Sequence, residues 1–405
     1  MMLGGRPQSK TVRRTPPTEG WSYVAFRLAL RIVPRVASFM SSALIRTTRY
    51  VRTWLTGRAD VTEEDVVLDR DGTPIPATLL RRRGAREPLP GWIVMHGITR
   101  PGRSHPQLVR FTRALAATGA AVLVPDVPEW RKLDLAPTLT RPTILRAIQA
   151  FDGMSDVRTE GYGLIGFSFG APHTIAAMAD PAIRDRVLGA IGFGGYCHLE
   201  STIDFMFTGE HEYGGQSHTL RPDPYGRWIV AANYLTSVPG YEDAGDVARE
   251  LRRLAALAGD TGAVAWDPIY DPAKVEARSR IEPDRLPLFD LIAPASNDEP
   301  DLEEGRRMAG LLTETGSRIE PGMEARPDLA EVERPVHIIH GYKDHLIPYT
   351  EGYRLQDALV SSSDVRATVT RLFGHSAQDP FPSPAQAIRE VPLFLRAIGR
   401  ALETI

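Results

Sequence analysis

The chain has 405 residues and a net charge of −2, with 48 Lys and Arg against 50 Asp and Glu. That balance excludes the broad basic field of a nucleic-acid-binding protein. The 42% hydrophobic and 24% charged fractions are those of a globular chain with a full core, long enough for one large α/β domain with an insertion or for two domains. The single cysteine, Cys197, excludes an internal disulfide and permits a reducing, cytoplasmic compartment.

Residues 1–58 carry eleven Lys or Arg and one acid, Glu19. The first twenty are rich in Pro, Gly and Arg and are expected to be disordered. From Trp21 to Leu55, Val24, Leu28, Ile32, Val36, Phe39, Met40 and Ala43 keep helical spacing, with Arg27, Arg31, Arg35, Arg46 and Arg49 on the opposite stripe. Pro34 should kink or divide that helix. No apolar run reaches about 18 residues, which argues against a transmembrane helix, and arginines interrupt any secretory signal core. Three readings stay open for this arm. It is a basic helix on an anionic membrane surface through residues 21–55, a transit segment, or a helix docked on the body with its arginines in water.

The body begins with a predicted β-hairpin, Asp65–Leu68 and Pro76–Leu80 around an Asp71-Gly72 turn. Trp92–Met95 is a buried-strand run ending in His96-Gly97-Ile98. A helix over Leu108–Thr118 and a strand over Ala121–Asp126 follow, then a helix over Thr143–Met154. The next strand, Tyr162–Phe167, runs into Gly166-Phe167-Ser168-Phe169-Gly170 and a small-residue helix, Ala171–Ala179. Val187–Phe193 is a further strand. Alternating strands and helices imply a mostly parallel, twisted sheet with helices on both faces.

About 140 residues separate Gly195 from the next strand, Val336–Ile339, far more than a connection needs. Arg227–Val238, Gly245–Leu257 and Leu302–Thr315 read as helices, and the stretch is rich in aromatics. It is expected to be a mainly helical cap that excludes water and builds a pocket. The Val336 strand ends in His340-Gly341-Tyr342-Lys343-Asp344. A last strand, Ala367–Phe373, ends in Gly374-His375. The domain boundaries follow: arm 1–58, core 59–197, cap 198–334, core 335–405.

A strand, then G-x-S-x-G, then a helix describes a nucleophile elbow. The glycines two residues either side of Ser168 remove side chains that would clash in so tight a turn. Ser168, Asp344 and His375 each follow a predicted strand, and strand carboxyl ends are where such sheets carry their sites. A serine hydroxyl needs a base, and His375 in its Gly-His loop suits that role. Asp344 would fix the imidazole tautomer. His345 is the rival base and Asp379 the rival acid. His96 and His340 precede glycines at strand ends and are expected to bond local backbone. Cys197 is expected to pack at a strand end. His198, Glu200, Asp204, His211 and His218 have no metal-ligand spacing, so neither metal nor cofactor is expected.

The combination of His-Gly, the elbow, Gly-x-x-Asp-x-x-Ile-Pro and Gly-His, in that order, resembles the α/β-hydrolase superfamily in its serine esterase and lipase-like part. The resemblance covers Val61–Cys197 and resumes at Glu333. It implies an α/β-hydrolase fold, a Ser168–His375–Asp344 triad and cleavage of a small-molecule carboxylic ester through an acyl-enzyme. It also implies oxyanion donors at the backbone N–H groups of Phe169 and of Ile98, with Thr99 the alternative because the His-Gly-Gly-Gly form of many lipases is missing. Thioesterase, acyltransferase, peptidase and C–C hydrolase chemistry would use the same triad, and a non-catalytic binding protein could keep the scaffold. Epoxide hydrolases and haloalkane dehalogenases place an aspartate where Ser168 stands.

Overall fold

The structure is a computed structural model that describes residues 42–85, 88–372 and 384–403. Its centre is an eight-stranded sheet. The strands are β1 (Val61–Arg70), β2 (Thr73–Arg82), β3 (Leu89–Met95), β4 (Ala121–Pro125), β5 (Val157–Phe167), β6 (Val187–Phe193), β9 (Val336–Gly341) and β10 (Val365–Thr370). Their spatial order is β1-β2-β4-β3-β5-β6-β9-β10. The β1–β2 and β2–β4 pairs are antiparallel and the others parallel.

The first hairpin turns at Asp71 and Gly72, both at positive φ, with Arg70 paired to Thr73. Two left-handed residues make the two-residue turn whose twist matches the strands. The central parallel strands are buried on both faces, which is why they read as continuous apolar runs, whereas β10 at the edge is only partly buried. Side chains alternate across β3: Ile93 and Met95 enter one core, Trp92 and Val94 the other.

Helix α1 (Ser42–Thr56), α2 (Pro106–Ala117) and α10 (Pro384–Glu403) cover the Trp92 face, α3 (Thr140–Asp152) and α4 (Gly170–Ala176) cover the Ile93 face, and α9 (Thr350–Ala358) packs on β9 and β10. The fold is therefore the expected α/β-hydrolase fold. The described part of the arm, α1, packs on α2 and α10. It buries Tyr50 and Val51, each worth roughly 1.5–3 kcal/mol of transfer free energy. Arg110 of α2 clamps its end: the guanidinium donates to the Trp54 and Leu55 carbonyls and lies 5.2 Å from the Trp54 ring centre. Cations favour the carbonyl-rich end of a helix in this way. Pro34 and the helix expected before residue 42 lie outside the described residues.

The insertion contributes α5 (Leu199–Thr208), α6 (Pro224–Tyr234), α7 (Gly245–Thr261) and α8 (Leu302–Ile319), with shorter helical turns between. It also holds a small hairpin not read from the sequence, β7 (Glu210–Tyr213) and β8 (Gln216–Thr219). Both strands are four residues long and polar, too short to show a hydrophobic period. The last strand stops at Thr370, three residues before its expected end. There the Thr370 hydroxyl donates to Glu390 of α10 and caps the Leu372 N–H.

Candidate active site

Three close approaches build the elbow. Ser168 sits at φ +52°, in the left-handed region that costs a non-glycine residue roughly 1–2 kcal/mol. Its N–H donates to Phe193 O at 2.7 Å, and its carbonyl accepts Ala171 N–H at 2.9 Å as α4 begins. A Cβ on Gly166 would lie 2.6 Å from Gly170 O, and one on Gly170 would lie 2.5 Å from His96 O. A Cβ on Gly97 would lie 2.9 Å from Ser168 Cβ. So Gly166 and Gly170 are required by backbone packed against backbone and Gly97 by the side chain of Ser168 itself, and the strain at Ser168 is held by its surroundings.

The His96 loop faces the elbow. His96 Nδ1 lies 2.7 Å from Gly97 O, and Nε2 accepts Val127 N–H at 2.9 Å. The imidazole is buried against Trp130 and holds the loop from inside. Ile98, Thr99 and Phe169 line the same cavity as Ser168. Among the described residues no hydrogen bond uses the backbone N–H of any of these three.

Asp344 follows β9 and is fully buried. Its Oδ1 accepts Leu346 N–H and Ile347 N–H, both at 3.0 Å, and Oδ2 lies 3.5 Å from His340 Nε2. His340 packs beneath the loop, with Nε2 2.9 Å from Ile347 O. The neighbouring His345 points elsewhere: its Nδ1 bonds Arg221 O of the insertion at 2.7 Å and its ring meets Trp266. His375 and Asp379 lie outside the described residues.

Cys197 is buried at the end of the β6 segment, and desolvation, with Glu351 adding to it, pushes its thiol far above the ordinary range. A thiol kept neutral is a poor nucleophile. Burial also drives the His173 pKa down to about 3, so this histidine of α4 is a neutral partner for the Tyr196 hydroxyl at 2.8 Å. Of the five cap residues weighed as ligands, His211 bonds Thr350 and His218 bonds Tyr349. Among the described residues no three His, Cys, Asp or Glu side chains form a metal-sized cluster. Nor is any helix there long and apolar enough to cross a membrane.

A cavity of about 960 Å³ runs over the carboxyl edge of the sheet with Ser168 on its wall. Toward the insertion it is walled by Ile203, Met206, Tyr225 and Ile229; the opposite arm is walled by Tyr50 and Trp54 of α1, Phe111 of α2, and Phe394 and Leu395 of α10. Phe167 and Phe193 stack at 4.8 Å beside that arm, with Phe111 edge-on at 5.0 and 5.3 Å. The sequence singled out neither α1 nor α10 as a cavity wall, because nothing local marks a helix that meets the site only through tertiary packing. Asp223, also on the wall, was likewise passed over, although Asp-Pro before an apolar run is a helix-start signal.

No protein-family model matches the chain, and no curated protein sequence matches it. Solved structures do align with it. An acylaminoacyl peptidase of Pyrococcus horikoshii matches at 12% identity with a TM-score of 0.47, over 85% of this chain and 42% of the peptidase. The match thus spans less than half the length of that enzyme. Est1E from Butyrivibrio proteoclasticus with ferulic acid bound matches at 13% identity and a TM-score of 0.44, over 83% of this chain and 97% of Est1E. An acetyl xylan esterase from Paenibacillus sp. R4 matches at 13% identity and 0.42, over 89% of this chain and 95% of its own.

Proposed function

We propose that this chain is a serine hydrolase that cleaves a carboxylic ester with a lipophilic acyl group. The observation that carries the reading is the left-handed Ser168, held at a helix start beside N–H groups that are uncommitted among the described residues, on the wall of a cavity lined mainly by apolar side chains. In this reading Ser168 Oγ attacks the carbonyl carbon while His375 takes the hydroxyl proton, and Asp344 orients His375. The oxyanion accepts hydrogen bonds from the N–H groups of Phe169 and Ile98. Collapse releases the alcohol, to which His375 returns the proton, and a water then hydrolyses the acyl-enzyme. The arm between α1, α2 and α10 supports the lipophilic part, since burying each methylene there gains about 0.8 kcal/mol.

Intact mass after treatment with a fluorophosphonate tests it, with Ser168→Ala as control. One adduct, absent from the variant, supports an activated Ser168. A panel of p-nitrophenyl esters from acetate to decanoate then reads acyl preference. A wild-type chain that takes no adduct and turns over no ester refutes the reading and leaves a binding protein on this scaffold.

A further inference from the structure

Six carboxylates are buried among the described residues: Asp126, Asp223, Asp246, Glu250, Asp344 and Glu351. Five have a basic side chain within 4 Å. Arg131 meets Asp126 at 2.9 Å, Arg285 meets Asp246 at 2.9 Å, Arg280 meets Glu250 at 3.1 Å, Arg354 meets Glu351, and His340 lies 3.5 Å from Asp344. Asp223 alone among them has no Arg, Lys or His at that distance within the described residues; His345 and Arg227 act on its charge only from farther away. A buried carboxylate without a contact ion pair is costly and is rarely kept for packing.

The structural work at this position uses only half of the side chain. Oδ1 accepts Tyr225 N–H at 3.0 Å, capping α6, and Ala265 N–H at 3.1 Å. An asparagine would serve both contacts equally well. Asp223 N–H donates to His345 O at 2.7 Å, which ties this corner of the cap to the loop that carries Asp344. Among the described residues no hydrogen bond falls on Oδ2. Yet Oδ2 is not one of the sealed, unpartnered polar atoms of the molecule, and Asp223 lines the cavity that holds Ser168. Oδ2 therefore opens into that cavity, in a wall otherwise dominated by apolar groups such as Ile229, Ala263 and Ile347. Burial pushes the carboxyl pKa up to about 6, which still leaves it ionised at pH 7.5.

We propose that Asp223 Oδ2 is the recognition group for a hydrogen-bond donor on the substrate, an ammonium or a hydroxyl. The proposal rests on reading this cavity as the ester site. It narrows the substrate class to amphiphilic esters, with an apolar chain in the α1–α10 arm and a donor group on the cap side. The incoming donor supplies the partner that the fold withholds, and a charged donor gains more than a neutral one.

Direct binding tests this without depending on turnover. Hexylammonium, 1-hexanol and hexanoate share a six-carbon chain and differ in the head group. Isothermal titration at pH 7.5 should show hexylammonium binding at least about tenfold more tightly than hexanoate, with 1-hexanol between them. Asp223→Asn keeps the Oδ1 contacts and should weaken hexylammonium by about tenfold or more while changing 1-hexanol much less. Equal binding of the three probes, or an unchanged hexylammonium affinity in Asp223→Asn, overturns the proposal. Fluorophosphonate labelling run in parallel separates the two failures. Labelling without head-group preference defeats the role of Asp223 alone; head-group preference without labelling defeats the hydrolase reading and keeps Asp223 as a ligand contact.

Discussion

Removing the charge of Asp223 should stabilise the protein, and only above acidic pH. The folded-state pKa of about 6 exceeds the ordinary carboxylate value of 3.8 because desolvation outweighs the help from the Tyr225 and Ala265 amides and from the more distant His345 and Arg227. A raised pKa means that the folded state holds the proton more tightly than the unfolded chain does. The corresponding stability is present below pH 3.8 and is lost as pH rises through 6. The gap between about 6 and 3.8 amounts to about 3 kcal/mol by pH 7.5 and only about 0.5 kcal/mol at pH 4. Asp223→Asn retains the Oδ1 acceptor and cannot ionise, so it escapes that loss. With an unfolding entropy of roughly 2.1 cal/mol/K per residue, the gain at pH 7.5 corresponds to a rise in Tm of about 3–4 °C. Scanning calorimetry of both proteins at pH 4 and pH 7.5 measures it. A variant that is no more stable at pH 7.5, or that is stabilised equally at both, would refute the reasoning, since the first denies the desolvation and the second its link to ionisation.

Four further outcomes follow from the geometry. Ser168→Gly should abolish labelling as Ser168→Ala does, yet be more stable than the alanine variant by about 1 kcal/mol, because glycine relieves the φ of +52°; urea denaturation of the pair reads it. In Gly97→Ala the new Cβ would meet Ser168 Cβ at 2.9 Å and Phe167 O at 3.2 Å, so ester kcat should fall by one to two orders of magnitude with about 1–3 kcal/mol of destabilisation. Asp344→Asn keeps an oxygen for the Leu346 and Ile347 amides and should fold, while turnover drops by roughly three to four orders of magnitude; circular dichroism and steady-state kinetics together check this. Leu395→Trp should fill the α1–α10 arm and lower the ratio of decanoate to acetate kcat/KM by about tenfold or more, leaving acetate hydrolysis little changed.

The elbow shows how far local sequence reaches. A two-residue glycine spacing around a serine, after an apolar run and before small residues, encodes a turn whose atoms are all near neighbours in the chain. The structure adds why each glycine is needed, and one reason is not local: Gly170 is pressed against the carbonyl of His96, more than seventy residues earlier. The central parallel strands were legible because burial on both faces leaves an unbroken apolar run. The polar β7–β8 hairpin was not, since two four-residue strands carry no period to read.

By itself the sequence determined the alternation of strands and helices, the place of the long insertion between two strands, and the position of Ser168 between a strand and a helix. Each of these is written in short-range pattern, where hydrophobic period and turn residues act over a few positions. Only the tertiary structure decided that α1 and α10 wall one arm of the cavity, that His345 turns to the insertion, and that Asp223 stands buried with no Arg, Lys or His within 4 Å among the described residues. Those facts depend on which surfaces meet after the chain has crossed the sheet. No local propensity carries that information, because burial and pairing are properties of the assembled core.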